Sequence, residues 1–191
     1  MGAVVLAAGA STRLGFPKQL IIREKQPLVR RTAVAALDAG ASRVVVVLGA
    51  NAATIAPALS GLASVAIAVN PDWEKGLASS LAVGVAAFFA DDSCDAVLVT
   101  LADQPFVDKA AIRQLITAFD DDHRIVAAAY DDTIGVPAVF GREHLDDLMR
   151  LTGDRGAGSW LRSRQNEVSR VRLRSAALDI DEPSDLARLR G

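Results

Sequence analysis

Apolar positions in this chain gather into short runs separated by stretches of helical length. Runs at 3–7, 44–48, 65–69 and 96–101 are aliphatic or β-branched and do not alternate with polar residues. That pattern suits strands buried on both faces of a sheet. Segments 27–37, 52–59 and 77–89 lie between them and read as helices, and a fifth run at 125–130 follows a helical 109–119. Strand–helix alternation of this kind predicts an α/β fold in three layers, a mostly parallel Rossmann-like sheet with helices on both faces.

After Tyr130 the rhythm changes. The turn-rich Asp131-Asp132-Thr133-Ile134-Gly135 precedes 136–140, which can return as an antiparallel strand. A helix over about 143–151, a loop at 153–158, a short helix through Trp160, a late strand at 168–173 and a closing helix at 183–189 complete the pattern. Pro183 stands at the start of that last helix, where its missing N–H costs nothing. No linker, repeat or low-complexity tract interrupts the chain, which predicts one α/β domain over 1–191 with an antiparallel C-terminal elaboration.

Ligands of open α/β sheets sit beyond the carboxyl ends of the strands. The segments that follow Ala7, Val69 and Leu101 are therefore expected on one edge. The first is Ala7-Ala8-Gly9-Ala10-Ser11-Thr12-Arg13-Leu14-Gly15-Phe16-Pro17-Lys18. Small residues after a strand let backbone amides approach a ligand, and Ser11, Arg13 and Lys18 add hydrogen bonds and positive charge. Together they describe a loop around the phosphates of a nucleotide. Its glycines and lysine match neither the P-loop nor the G-x-G-x-x-G spacing. Arg13 and Lys18 are assigned to the triphosphate, where fixed cations stabilise charge gained by leaving pyrophosphate; the bland alternative makes them solvated surface charges.

In the second segment, Leu101-Ala102-Asp103-Gln104-Pro105, a carboxylate stands at a strand end. It suits Mg²⁺, which takes one or two carboxylates and binds phosphate oxygens. Asp103 could instead cap the next helix, but Asp108 is nearer the helical run and better placed as the cap. The third segment runs from Asn70-Pro71 through Gly76 to Ser79-Ser80. Amides and hydroxyls at a helix start can bond a base or ribose, which assigns Asn70, Ser79 and Ser80 to the nucleotide; a loop with an N-cap is the plainer reading.

A fourth acidic cluster, Asp179-Ile180-Asp181, places two carboxylates on one face of an extended segment. Either could supply a second metal ligand, or both could be ordinary partners of the closing helix. His123 and His144 fit no triad or metal spacing, and His144 reads as a surface residue.

Composition narrows the picture only a little. A formal charge of −2 gives no footprint for nucleic acid. The lone Cys94 excludes an internal disulfide and reads as core filler. No apolar run reaches membrane-spanning length. Ala8-Gly9-Ala10 has no basic segment before it and follows too short an apolar stretch to be a signal cleavage site, so a cytoplasmic protein is expected.

With these residues in place, the chain resembles the nucleotidyltransferases that mature the molybdenum cofactor, especially their cytidylyltransferase branch. The resemblance covers nearly the whole chain. It is carried by Leu6-Ala7-Ala8-Gly9-x-Ser11-x-Arg13-x-Gly15-x-x-Lys18, Asn70-Pro71 through Ser79-Ser80, Leu101-Ala102-Asp103-Gln104-Pro105, Gly135-x-Pro137, Gly153-Asp154-x-Gly156-Ala157 and Asp179-Ile180-Asp181-x-Pro183-x-Asp185-Leu186. The first motif is shared with many sugar and alcohol phosphate nucleotidyltransferases, and the resemblance implies their fold.

The resemblance implies attack of a molybdopterin-type phosphate on the α-phosphorus of an NTP, with Mg²⁺ as cofactor and pyrophosphate released. Position 8 is implied to select the base: the guanylyl branch looks to carry Gly where Ala8 stands, so CTP is favoured. Gly153, Asp154 and Gly156 are implied to meet the acceptor, a simple helix-start turn over 153–158 being the alternative. A molybdoenzyme or its chaperone is implied as a partner. At Ala157-Gly158 the chain departs from the pattern, which carries a basic residue there; Arg155 or Arg162 could supply that charge.

The competing enzyme readings are a cytidylyltransferase of a small polyol or sugar phosphate and a guanylyl-transferring relative. The first of these looks to need an Arg near 76–80 that this chain lacks. A nucleotide-binding sensor or cofactor carrier is the non-enzyme alternative, with Asp103 and the Asp179/Asp181 pair standing against it.

Overall fold

The computed structural model describes residues 1–89 and 94–190. In chain order, β1 is Gly2–Ala7, a two-residue hairpin follows in β2 (Ile22–Arg23) and β3 (Gln26–Pro27), and α1 is Leu28–Ala39. Next come β4 (Val44–Leu48), α2 (Ala52–Ile55), β5 (Val65–Val69), α3 (Leu77–Phe89) and β6 (Ala96–Leu101). The second half holds α4 (Lys109–Ala118), β7 (Ile125–Tyr130), β8 (Thr133–Gly141), α5 (Leu145–Met149), α6 (Ala157–Ser163) and β9 (Ser169–Arg172).

Seven strands form one sheet in the order β5-β4-β1-β6-β8-β7-β9. Only β8 runs against the rest, pairing antiparallel with both β6 and β7, while β9 lies parallel to β7. The expected mostly parallel sheet with a C-terminal elaboration is therefore what the chain forms. Because side chains alternate across a strand, the two faces feed two cores. Ala3, Val5, Val44, Val46 and Leu48 pack toward α1 and α4; Val4, Leu6, Val45 and Val47 pack toward α3.

Several local expectations need correction. Strand β5 is not buried on both faces: Ile67 and Val69 are exposed, because β5 is the outermost strand and lies beyond the helices that cover β4. The turn expected over 131–135 contracts to Asp131-Asp132, both at positive φ, and Thr133 already pairs with Tyr130. Short aspartates tolerate the left-handed conformations that a two-residue hairpin demands. Segment 52–59 begins as α2 and tightens to a 3₁₀ turn at Ala56–Leu59, where Pro57 lacks the donor for an α-helical bond.

The helix expected over 143–151 is a 3₁₀ turn, Arg142–His144, followed by the single-turn α5. The closing helix at 183–189 is 3₁₀ throughout Pro183–Arg190. The β2–β3 hairpin has no signature in the hydrophobic pattern. Cys94 is buried core, as expected. Among the described residues no helix is long and apolar enough to cross a membrane.

Helix α3 sends its first turn into a cleft at the carboxyl edge of the sheet, so its seat on the strands sets the position of that wall. It lies close on β1 at Gly84, where an added Cβ would collide with Val4 Cγ1 and fall 2.9 Å from Val47 Cγ2. Gly84→Ala gains up to about 1 kcal/mol of helix propensity but must push strand and helix apart. The net expectation is a loss of about 1–3 kcal/mol, read as a lower urea midpoint; unchanged or raised stability would show that helix and strand can separate freely there.

Candidate active site

The chain leaves β1 through Ala8 and Gly9, which line a cleft of about 410 Å³ at the carboxyl edge of the sheet. Ala8 is buried, its carbonyl accepting the Ala50 N–H at 3.0 Å. Gly9 faces open space, with nothing within 4 Å of where a Cβ would stand, so its backbone is accessible to a ligand. The loop then folds on itself. Ser11, at φ 56°, accepts the Leu14 and Gly15 N–H groups on its carbonyl and the Lys18 N–H on its hydroxyl at 3.1 Å.

Gln19 is the splint of this loop. Its buried amide donates to the carbonyls of Ala7 and Gly9, both at 2.9 Å. Sequence reasoning missed it. A Gln between Lys18 and Leu20 carries no periodic or turn signal, and only the folded loop brings those carbonyls to it.

On the far wall, β5 leads into Asn70, which is 2 % exposed. Its amide donates to Ser79 Oγ at 2.9 Å and Ser80 Oγ at 3.0 Å, while its carbonyl oxygen accepts the Asp72 N–H. Asn70 thus ties the turn after β5 to the first turn of α3. Of the three, Ser80 lines the cleft, beside Trp73 and Leu77. The 153–158 loop closes over the same turn: the Ala78 N–H donates to the Gly153 carbonyl at 3.1 Å, and Asp154 lines the cleft. Gly76, at φ 102°, admits this approach, since a Cβ there would sit 2.5 Å from that carbonyl oxygen. Gly156 packs against Leu77 instead of facing the cleft.

The floor is acidic. Asp103 follows β6, and its Oδ2 lies 2.5 Å from the Lys18 ammonium; Asp181 Oδ1 reaches the same nitrogen at 2.7 Å. Burial alone would lower the Lys18 pKa, but the charges and hydrogen bonds of Asp103, then Asp181, override it and the net shift is upward. The acidic segment is held there by its middle residue. Ile180 is fully buried with Leu14 and Leu28, and its N–H donates to the Asp103 carbonyl at 3.0 Å. Asp179 lies on the same side: desolvation first, then the charges of Asp103 and Asp181, push its pKa up to about 6.

Asp108 caps α4, accepting the Ala111 N–H at 2.8 Å, which leaves Asp103 outside any cap. Arg13 does not line the cleft; it is 69 % exposed and lies 3.8 Å from Glu182. His123 pairs with Asp120 at the surface. His144 is not the surface residue expected, since its ring packs edge-on against Trp160 at 5.6 Å.

Among the described residues, no three His, Cys, Asp or Glu side chains converge as a ready metal cluster. A hard cation with phosphate and water in its shell needs fewer. Asp103 Oδ1 is buried without a partner, and Asp181 approaches the same ammonium. An orphaned carboxylate oxygen beside a second carboxylate fits a divalent cation bound together with a triphosphate.

Comparison with known proteins bears on this arrangement. A family model described as the MobA-like NTP transferase domain matches residues 3–169. Nicotine blue oxidoreductase of Paenarthrobacter nicotinovorans is 34% identical, over 97% of this chain and 94% of its own length. The crystal structure of Rv0371c from Mycobacterium tuberculosis superposes with a TM-score of 0.84 at 30% identity, covering 99% of this chain and 97% of that one. Its complex with manganese gives 0.77 at 29% identity over 98% and 96%. A nucleotidyl transferase from Methanothermobacter gives 0.82 at 26% identity over 99% and 95%.

The raised Asp179 pKa carries a sign. An ionised Asp179 is disfavoured by folding, so its contribution to stability is fully present below its ordinary pKa near 3.8 and is lost as pH rises through about 6. Asp179→Asn should therefore raise the thermal midpoint of metal-free protein at pH 7.5 and leave it nearly unchanged at pH 4. Equal midpoints for variant and wild type at both pH values would mean that neither burial nor the charges of Asp103 and Asp181 disfavour an ionised Asp179.

Proposed function

The chain belongs to the MobA-like NTP transferase family, and we propose that this nucleotidyltransferase moves CMP from CTP to a molybdopterin-type phosphate acceptor. Pyrophosphate leaves, and Mg²⁺ is the working cation. The observation that carries the reading is the meeting of Lys18 with Asp103 and Asp181 at the cleft floor, beside an unpartnered Asp103 oxygen. The proposal takes residues 1–191 as one nucleotidyltransferase domain acting in the cytoplasm, with its product passed to a molybdoenzyme or its chaperone.

In this reading Asp103 and Asp181 hold the metal, with Asp179 close by to take part once charged. The bound cation would neutralise phosphate charge as the α–β bond breaks. Lys18 turns from its carboxylates to the triphosphate, and the exposed Arg13 swings from Glu182 to the same phosphates. Amides of Ala8 and Gly9 donate to phosphate oxygens. Ser11 and Gln19 keep that loop in shape; Asn70 and Ser79 do the same for the helix start that presents Ser80 to the nucleotide. An acceptor phosphate oxygen forms the new bond to the α-phosphorus, and the pyrophosphate oxygen takes the electron pair of the bond that breaks. Catalysis here is positioning and charge neutralisation, with no covalent enzyme intermediate.

Gly153, Asp154 and Gly156 are proposed to bound the acceptor side through their loop over Gly76. CTP is preferred because Ala8 is a wall of the cleft and its methyl narrows the space for a purine. A relative named nicotine blue oxidoreductase supports a second reading, redox chemistry in the same cleft. Two carboxylates on one lysine, with an unpartnered Asp103 oxygen beside them, favour transfer, since phosphoryl chemistry uses such charges.

Calorimetry with CTP, GTP, ATP and UTP plus Mg²⁺, alongside pyrophosphate release in the presence of molybdopterin, tests both readings. CTP should bind best and only with the metal, and Asp103→Asn should lose at least about a hundredfold in turnover while still unfolding in one cooperative transition at a lowered melting temperature. Dye reduction by a reduced nicotinamide without pyrophosphate release would move the protein to the redox reading. Ala8→Gly should improve GTP use relative to CTP by about tenfold or more; an unchanged ratio would remove position 8 from base selection.

A further inference from the structure

Two side chains line the nucleotide cleft without a partner among the described residues. The turn after β5 tightens into a 3₁₀ turn, Trp73–Lys75, and both Trp73 and Glu74 belong to the cleft wall. Among the described residues the Trp73 ring meets no other aromatic ring or cation, and its indole N–H has no acceptor. Glu74 likewise forms no hydrogen bond or ion pair there. Its neighbour Lys75 is held instead by Asp72, at 3.0 Å.

Trp73 is seated against the loop that follows β1. A Cβ at Gly49, the residue after β4, would fall 2.5 Å from Trp73 Cβ and 2.9 Å from Ala8 Cβ. The bare glycine thus lets Trp73 settle beside Ala8. Lys18 and Asp103 also line the cleft, and Asp103 follows β6. Strands β4 and β6 flank β1, and two strand spacings set their ends about 10 Å apart. One end of the cleft therefore carries an aromatic ring and the Ala8 methyl, while the other carries the ammonium and the carboxylates. A nucleotide has the same polarity, with a flat base at one end, phosphates at the other and the ribose between.

Resting on the transfer reading, we infer that Trp73 and Glu74 form the nucleobase subsite. The indole is the platform on which the base stacks, and the Glu74 carboxylate accepts from the exocyclic amine of cytosine. Stacking is tolerant of which base lies on the ring, so selection falls to the neighbours. Ala8 limits the size of the base, and Glu74 separates the two pyrimidines. Cytosine offers a donor where uracil offers an acceptor, which a carboxylate repels. A charged acceptor also makes the stronger bond to that amine. Because Lys75 is drawn off by Asp72, the Glu74 charge stays available.

Tryptophan emission reports on the platform, since the chain's other tryptophan, Trp160, is buried against Phe140 and His144. With Mg²⁺ present, CTP should quench the emission of wild-type protein and inorganic tripolyphosphate should not. By calorimetry, Trp73→Ala should lose at least about fivefold in CTP affinity. Trp73→Phe, which keeps a flat ring, should recover most of that loss and still give no quench. Glu74→Gln should melt as wild type does, and its preference for CTP over UTP, about tenfold or more in wild type, should fall to near parity. A quench that survives in Trp73→Phe, an equal quench by tripolyphosphate, or a CTP-to-UTP ratio unmoved by Glu74→Gln would each overturn the subsite and leave CTP standing as the substrate. Failure of every nucleoside triphosphate to bind wild-type protein would defeat the transfer reading, and the subsite with it.

Discussion

The site depends on one buried charge problem, the Lys18 ammonium between Asp103 and Asp181. These residues come from the loop after β1, the end of β6 and the last acidic segment of the chain. A partly buried ammonium is costly without partners, and two carboxylates brought together repel unless a cation lies between them. Each group therefore requires the others. The arrangement is poised for a polyphosphate and a divalent cation, which can take over the same charge balance when they enter together.

That balance needs a mechanical support, and the apolar neighbours provide it. Leu14 and Leu28 bury Ile180, whose N–H is bound to the Asp103 carbonyl. The phosphate loop and the C-terminal acidic segment are thus two sides of one small core. Elsewhere the polar side chains that shape the cleft are satisfied internally: Gln19 by the carbonyls of Ala7 and Gly9, Asn70 by two serines and a backbone amide. Gln19 both fixes the loop's shape and lines the cavity, beside Lys18, Ser80 and Asp103.

Much of this fold was legible from residue pattern. Aliphatic runs mark β4, β5 and β6 to the residue, and for β4 and β6 the reason is that central strands need apolar residues on both faces. The edge position of β5 was not legible, since Val65–Val69 has the composition of a buried strand and only strand order exposes it. Asp108 was separable from Asp103 because a helix cap must stand three residues before the amide it accepts, and Asp108 meets that rule at Ala111. Gln19 and Trp73 were invisible, as neither falls in a spacing that local geometry demands. A groove at the ends of β7 and β9 lined by Arg162, Arg170, Arg172 and Arg174 was invisible for another reason: Arg162 comes from a helix and Arg170 from a strand, and their sequence distance says nothing of a shared cavity.

Residue order alone settles the layered α/β architecture, the sheet edge on which ligands gather, and the chemical character of each loop there. Those follow from periodicity and residue type, which act over a few neighbouring residues. Which charges meet is a property of the folded chain. Lys18 and Asp181 are separated by 163 positions, and no local rule links them. Their contact exists because Ile180 is buried beside Leu14, and burial of one apolar residue fixes the direction of the two carboxylates that flank it.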